Sequence, residues 1–544
     1  MLAARDGLRV SHQIRTGRAK FRSILSGGIT GHSDLRSATA AGTRSIDAGD
    51  RRARGSVWIG FWSHVPVLGE PARWVRSATA AVSKLAHVAG SVVGQVEPQL
   101  DSARDPAARL HLLDTITAEF GRLRAAVDAI DLPGPGWFIP QVDSADRELR
   151  RDLARLRRAV DDGAVASHGL HSFLKGPTKY VVLAANNAEM RAGGMILQAG
   201  LLRAAGGKLD AGPFRSTGDI RLPRAVPVPP EIDRLYGWLD PGREWRNTNS
   251  SPNFPVVAPV FVRMANTILR SPADGAVQID VPALAALLKI IGPVEVSGRR
   301  YDASNVERLV MHDLYQRFGA DQERRQHEFS ALATATFRAL TDRHWDARVL
   351  IQTLSRAARG RHLLFWSSEA AQQDMWRRLG VDGSLARDGL MITIQNQGGN
   401  KLDWFLRPSM SISTAKKSDG YTRVTVDVHI DDPAPVGEAP YIVGTGSIVP
   451  VGGYRAFVAA YLPGWATNVD LSGGATIVFG PDGPMRVVGT RIDIARGDTK
   501  DIRVAFDAPP GASIELLPSG RVPAVPVRFR GRVHTDGVRR TFQI

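Results

Sequence analysis

The period at which apolar residues recur changes twice along this 544-residue chain, and that change limits its architecture more than any single motif does. Up to about residue 165 the spacing is three and four, the mark of helices with one buried face. "ARWVRSATAAVSKLAHVAGSVVGQV" (72–96), "PAARLHLLDTITAEFGRLRAAVDAIDLPGPG" (106–136) and "SADRELRRDLARLRRAVDDG" (144–163) each read as a helix. The second stops at the Pro/Gly cluster 133–136; the third has Ser144 as N-cap and Gly163 after its end. Over 175–405 short apolar runs alternate with helical stretches. In "GAVQIDVPALAALLKIIGPVEVSG" (275–298) Val277–Ile279 is a strand and Asp280 caps a helix with Pro282 in its first turn. Gly292 and Pro293 stop that helix, and Val294–Val296 resumes extended. Strand–helix–strand units build α/β folds. From about 408 the period falls to two, as where Val424, Val426, Val428 and Ile430 alternate with polar neighbours. The expected fold is a multidomain α/β protein. A helical stalk or bundle spans 1–165, an α/β sheet domain 175–405, and an antiparallel, immunoglobulin-like β-sandwich 408–544.

Composition narrows the chemistry. The absence of cysteine excludes disulfides, thiolate metal sites and cysteine nucleophiles. Net charge is +16, with Arg far in excess of Lys, which suits an anionic partner but also fits a merely solvated surface. Residues 1–55 hold eleven basic and four acidic side chains, 11 − 4 = +7, as in a basic arm beside a membrane or a polar helix face. No run reaches the roughly 18 apolar residues of a transmembrane helix. The nearest, "SVWIGFWSHVPVLG" (56–69), reads as interfacial or buried, and no signal peptide is apparent.

Metalloprotease, phosphate-loop and serine-hydrolase motifs are missing, and the thirteen histidines show no ligand spacing. "HEFSA" at 327 reads as a helix surface. Aromatics do not interleave with basic residues, so no nucleic-acid partner is expected. The informative stretch is "YVVLAANNAEMRAGGMILQAGLL" (180–202), two apolar runs around a polar cluster. With 179–185 as a central strand, Asn186, Asn187, Glu189 and Arg191 reach the sheet rim, where α/β folds bind ligands, and need not be buried. Gly193 and Gly194 allow a sharp turn or close backbone approach. One reading is an anion or sugar site, with Arg191 on a phosphate and the amides as directional partners. The other is a turn in which Glu189 pairs with Arg191 and Asn186 closes an Asx-turn. "FRSTGDIRLPR" (214–224) adds Arg215, Asp219, Arg221 and Arg224, and "EWRNTNSSPNFP" (244–255) adds Asn249 among amides and aromatics; both could equally be polar connections. "IQNQGGNKLDWFL" (394–406) reads as a join between domains.

The order "YVVLAANNAEMRAGG", "NTNSSPNFP", "GAVQIDVPALAALLKIIGPVEVSG", "GNKLDWFL" and a β-rich tail, with "HVPVLGE" (64–70) before them, resembles the DUF4012 family, mainly actinobacterial proteins of undefined function. Members commonly carry one N-terminal membrane helix, which leaves a shortened start or a soluble member open here. "AVQIDVPALAALLKIIGPVEV" also resembles the LytR–CpsA–Psr (LCP) proteins, which transfer lipid-pyrophosphate-linked glycopolymers to peptidoglycan using arginines and an Asp-bound magnesium. The likeness places Arg191 at the first arginine and Arg215 at the second. Gly193 falls where the metal-binding Asp would be, with Asp219 or Glu189 as substitutes, so magnesium is implied only if the protein is catalytic.

These readings imply a membrane-associated cell-envelope protein outside the cytoplasm. Its LCP-like pocket would bind an anionic, pyrophosphate-linked glycan or lipid without turnover, with a membrane surface as a further partner. The alternative is a glycopolymer phosphotransferase in which Arg191 and Arg215 hold the pyrophosphate while Glu189 or Asp219 holds a metal or takes a proton. Asn186, Asn187, Gly193, Gly194, Arg221 and Asn249 are the expected substrate contacts.

Overall fold

The structure is a computed structural model that describes residues 12–13, 16, 19, 32–56, 63, 69–102, 105–133, 140–269, 272–343, 345 and 347–544. Most of the basic stretch before residue 32 lies outside these residues. So do the apolar segment over 56–69, apart from Ser56, Ser63 and Gly69, and the "HVPVLGE" motif apart from its last two residues. The chain divides into two compact units, Met1–Gly176 with Gly206–Lys208, and Pro177–Ala205 with Leu209–Ile544.

The first unit is helical: α1 (His32–Gly55), α2 (Glu70–Ser102), α3 (Pro106–Asp128) and α4 (Pro140–Lys175). Each packs on its neighbour in sequence. Trp74 and Ala78 of α2 join Leu149 of α4 in one apolar cluster, and Trp74 Nε1 donates to Asp146 Oδ1 at 2.8 Å. Asp105 caps α3, accepting from the amides of Ala107 and Ala108. Gly163 does not end a helix, and α4 runs on to Lys175. A Cβ at Gly163 would lie 2.4 Å from Phe120 Cζ, so the bare backbone makes room for that ring. Among the described residues no helix is long and apolar enough to cross a membrane.

The second unit opens with β1 (Thr178–Asn186), β2 (Met195–Ala205), β3 (Lys208–Ala211) and β4 (Arg215–Ser216). Helices α5 (Pro230–Tyr236) and α6 (Phe254–Asn266) follow, then β5 (Gly275–Ile279) and α7 (Val281–Ile291). Asp280 Oδ1 accepts from Ala283 N at the start of α7, and Gly292, at φ 81°, ends it. Next come β6 (Val294–Val296), β7 (Arg299–Tyr301), a helical stretch over 306–318, α8 (Gln322–Asp342), α9 (Ala347–Arg359), β8 (Leu363–Ser367) and α10 (Ala370–Arg378). The first sheet has the order β3-β2-β1-β5-β8, with β4 on β2. β1 and β5 are parallel, while β2 and β8 run antiparallel to their neighbours. The expected strand–helix–strand does not close in one sheet, because β6 pairs with β7 as a separate ribbon. Along β1, Val181, Leu183 and Ala185 pack toward the cluster that contains α6, while Val182 and Ala184 face the other way.

The β-rich remainder starts earlier than 408, with β9 (Gly389–Asn396), whose eight residues are all buried. β9 pairs with β12 (Tyr454–Leu462) and β17 (Ser513–Leu516). Its run "GLMITIQN" lacks the polar alternation of a half-exposed strand because both faces are covered. Two six-stranded sheets result. Leu390, Ile392 and Val458 from one share a core with Val424, Val426, Ile502 and Phe506 from the other.

Candidate functional site

The polar cluster between β1 and β2 is buried, because β9 and the chain beyond it cover the sheet rim. Asn186 Oδ1 accepts from Ala188 N at 2.9 Å, an Asx-turn, while its Nδ2 donates to Val310 O and Tyr315 Oη. Asn187 donates to Asp280 Oδ2 and Gly520 O at 3.1 Å each and accepts from Val281 N. Glu189 pairs with Lys401 rather than with Arg191. Both side chains are more than nine-tenths buried, so each charge depends on the other.

Arg191 is held by the protein. Its Nε and Nη2 donate to Asn247 Oδ1 at 3.1 and 2.9 Å, and its Nη1 donates to Met190 O and Asn396 O. Four of the five N–H bonds of a guanidinium are thereby used, and one on Nη2 has no acceptor among the described residues. Burial lowers the pKa of Arg191 from its ordinary value, with Glu189 acting in the opposite direction. Gly194, at φ 83°, takes a conformation that favours glycine, and its carbonyl accepts from Asn249 Nδ2 at 2.7 Å. Gly193 leaves space for the buried Gln278, whose Nε2 would lie 2.8 Å from a Cβ there. Asn249 therefore fixes the turn and lies outside the cleft described next.

Beside this hub lies a cleft of about 380 Å³. Arg191, Arg246, Arg325 and Lys401 face it together with Glu189 and Glu244, leaving an excess of two positive charges, 4 − 2. Lys401 is neutralised by Glu189 and Arg246 by Glu244. Burial works against the Glu244 carboxylate, but hydrogen bonds from Arg246 outweigh it and hold its pKa below the ordinary value. Arg325 stacks over Tyr441 at 3.9 Å from the ring centroid, and Tyr441 lies parallel to Tyr315 at 5.8 Å. Arg191 and Arg325 have no carboxylate within ion-pair distance among the described residues, so they carry the excess charge. Gln198, Gln322, Gln326 and Gln397 line the same cleft. Cations, amides and one stacked aromatic pair in one cleft suit an oxyanion bearing polar substituents.

Next to it, between the sheet and helices α7, α8 and α9, is an apolar chamber of about 220 Å³. Val182, Val277 and Ile279 form its floor and Leu284, Leu332 and Phe337 part of its roof. Leu197, Gln198 and Phe329 line both spaces, which therefore adjoin. Thr336 Oγ1, on the chamber wall, is buried without a hydrogen-bond partner among the described residues.

Arg215, Asp219 and Arg221 are exposed and lie outside the lining of both spaces. Arg221 Nη1 donates to Gly218 O, a local turn contact. Two-residue β4 pairs with β2 and leaves the Arg215 side chain in solvent, so the two arginines singled out in the sequence do not share one cleft. The cleft uses residues the sequence reading passed over. Lys401 lies in the stretch read as a domain join, and Arg325 is two residues before the "HEFSA" read as surface. An available signal was the apolar spacing Phe329, Leu332, Ala333, Phe337 and Leu340 along α8, which marks a buried face. Among the described residues no group of three or more His, Asp or Glu side chains is arranged to hold a metal.

Fold and site together define a protein with a helical unit and a mixed α/β and β unit, the latter with a cationic cleft adjoining an apolar chamber. Residues 175–315 match the model of a family described as "Protein of unknown function (DUF4012)". No curated protein matches the chain, and no solved structure does.

Proposed function

We propose that this protein binds an anionic amphiphile, a lipid carrying a phosphate or pyrophosphate linked to a glycan, and holds it without turnover. The supporting observation is that the apolar chamber and the cationic cleft adjoin at Leu197, Gln198 and Phe329, so that the tail and headgroup of one molecule would lie on either side of those residues. Each methylene moved from water into the chamber contributes about 0.8 kcal/mol. The headgroup would meet the free Nη2 donor of Arg191, the Arg325 guanidinium and the cleft amides. A lipid-linked guest of this kind belongs to a cell envelope, which is where we place the protein, as a member of an LCP-like class with an immunoglobulin-like partner domain. Binding is favoured over phosphoryl transfer because Glu189 is committed to Lys401 and Asp219 lies in solvent, so neither carboxylate is free in the cleft to anchor magnesium or take a proton.

Calorimetry with farnesyl diphosphate, inorganic pyrophosphate and farnesol tests this. The diphosphate should bind at least tenfold more tightly than either half. Equal binding of pyrophosphate alone would remove the chamber from the proposal, and metal-dependent release of phosphate would restore the transferase reading.

A further inference from the structure

Between β11 (Thr422–Asp431) and β12 the chain makes a long connection whose residues 439–454, "APYIVGTGSIVPVGGY", contain no charged side chain. The run 247–262 is equally long and uncharged but largely buried, whereas in this one residues 445–448, 450 and 451 are exposed. It is firmly anchored. Ile442 and Val443, in the short helix α11 (Pro440–Val443), are buried, the Ile442 carbonyl accepts from Lys401 N at 2.8 Å, and the Val443 carbonyl accepts from Gly452 N at 2.8 Å. Gly444, Gly446 and Gly452 have φ of 86°, 84° and 81°, so the tip between them is shaped by backbone that only glycine adopts readily. What this scaffold displays is apolar. Ile448 is 45% and Val451 51% exposed, with Pro450 also exposed between them. Val436, earlier in the connection, is 84% exposed.

The position of the tip identifies its occupant. Tyr441 and Ile448 line the cationic cleft, so the displayed apolar residues continue from the cleft mouth. Arg246, also on the cleft, has its side chain 43% exposed. A bilayer offers apolar tails, anionic headgroups and the lipid itself at one surface, and an apolar tip beside a cleft with two excess positive charges matches all three. We infer that the 444–452 tip inserts into the interface of an anionic lipid bilayer and seats the cleft mouth against it, so that a lipid enters without crossing water. The bilayer's role as donor of that lipid rests on the amphiphile-binding function proposed above; insertion of the tip does not.

Vesicle flotation of the full chain, using phosphatidylcholine with phosphatidylglycerol, tests the inference. The wild type should float with these vesicles, and Val451→Asp should weaken partitioning at least tenfold. Val451 does not line the cleft, so V451D should keep farnesyl diphosphate affinity within about twofold, a readout that also reports correct folding. Val451→Trp should give a blue-shifted emission on vesicle addition, quenched by brominated acyl chains. Flotation unaffected by V451D, or no flotation of the wild type, overturns the inference. Self-association that depends on Val451, with no vesicle binding, would overturn it in favour of a second copy of this chain. Val451-dependent flotation without any farnesyl diphosphate binding would uphold the insertion and sink the function proposed above.

Discussion

Lys401 and Glu189, 212 residues apart in sequence, form an ion pair with side chains 7% and 9% exposed. The pair links the β1–β2 turn to the segment after β9, and Lys401 lies 5.3 Å from the Tyr441 ring centroid. Removing one partner leaves an uncompensated buried charge, which costs about 3–5 kcal/mol. Lys401→Met should lower the unfolding free energy from urea titration by an amount of that order. The double variant Lys401→Met/Glu189→Met should recover much of it, as a double-mutant cycle will read.

His362 Nδ1 lies 2.7 Å from Asp280 Oδ2, at the C-terminal end of β5. Burial disfavours the charged imidazolium, but the charge and hydrogen bond of Asp280, with Glu307 and Asp536 in support, raise its pKa above the ordinary 6.5. The folded state therefore binds the proton more tightly than the unfolded chain does. That stabilisation is complete below 6.5 and is lost as pH rises through the folded value. Unfolding midpoints measured from about pH 6 upward should fall across this window, and Asp280→Asn should flatten the slope. NMR titration of the His362 ring will locate the folded value.

Gly193→Asp would place a carboxylate in the β1–β2 turn, at a position that only the LCP resemblance assigns to a metal ligand. A Cβ there would lie 2.8 Å from Nε2 of Gln278, which is buried on β5 and donates to Gly193 O, so that side chain would have to shift. We expect destabilisation of about 1–3 kcal/mol from overpacking. Adding Gln278→Ala should relieve part of it in denaturant titration.

Ala184 lines the chamber from β1. Ala184→Leu fills part of an existing space, so the unliganded protein should gain about 0.5–2 kcal/mol of stability. The same side chain would compete with a lipid tail, and farnesyl diphosphate affinity should drop at least tenfold while pyrophosphate affinity stays constant. A variant that loses both affinities equally would place the tail elsewhere.

Arg325→Gln should weaken pyrophosphate and farnesyl diphosphate alike, by about tenfold. Arg325 lacks a carboxylate partner among the described residues, so its charge is available to a guest. Arg246→Gln should have a smaller effect, because Arg246 is already paired with Glu244.

The local code was legible without coordinates. Helical spacing marked the first unit, and Asp280, Pro282 and Gly292 bounded α7 because capping and stop signals act over a few residues. Alternation marked β11, where every second residue is buried. The turn after β1 also carried its Asx geometry in sequence, since Asn186 and Ala188 are neighbours. Long-range pairing was not legible. Nothing near Glu189 indicates that Lys401 will meet it, and nothing near Arg191 indicates that Asn247 and Asn396 will take up its donors. Gly163 read as a stop because a glycine's missing side chain looks the same whether it ends a helix or admits Phe120. Thus the sequence by itself determined which segments form helices and strands and where they are capped, since those choices depend on neighbours a few bonds away. Only the tertiary structure decided that the polar turn is buried, that Arg215 stays outside the cleft and that an apolar chamber opens beside it. Those outcomes depend on which distant surfaces exclude water together, a property of packing that no local stretch encodes.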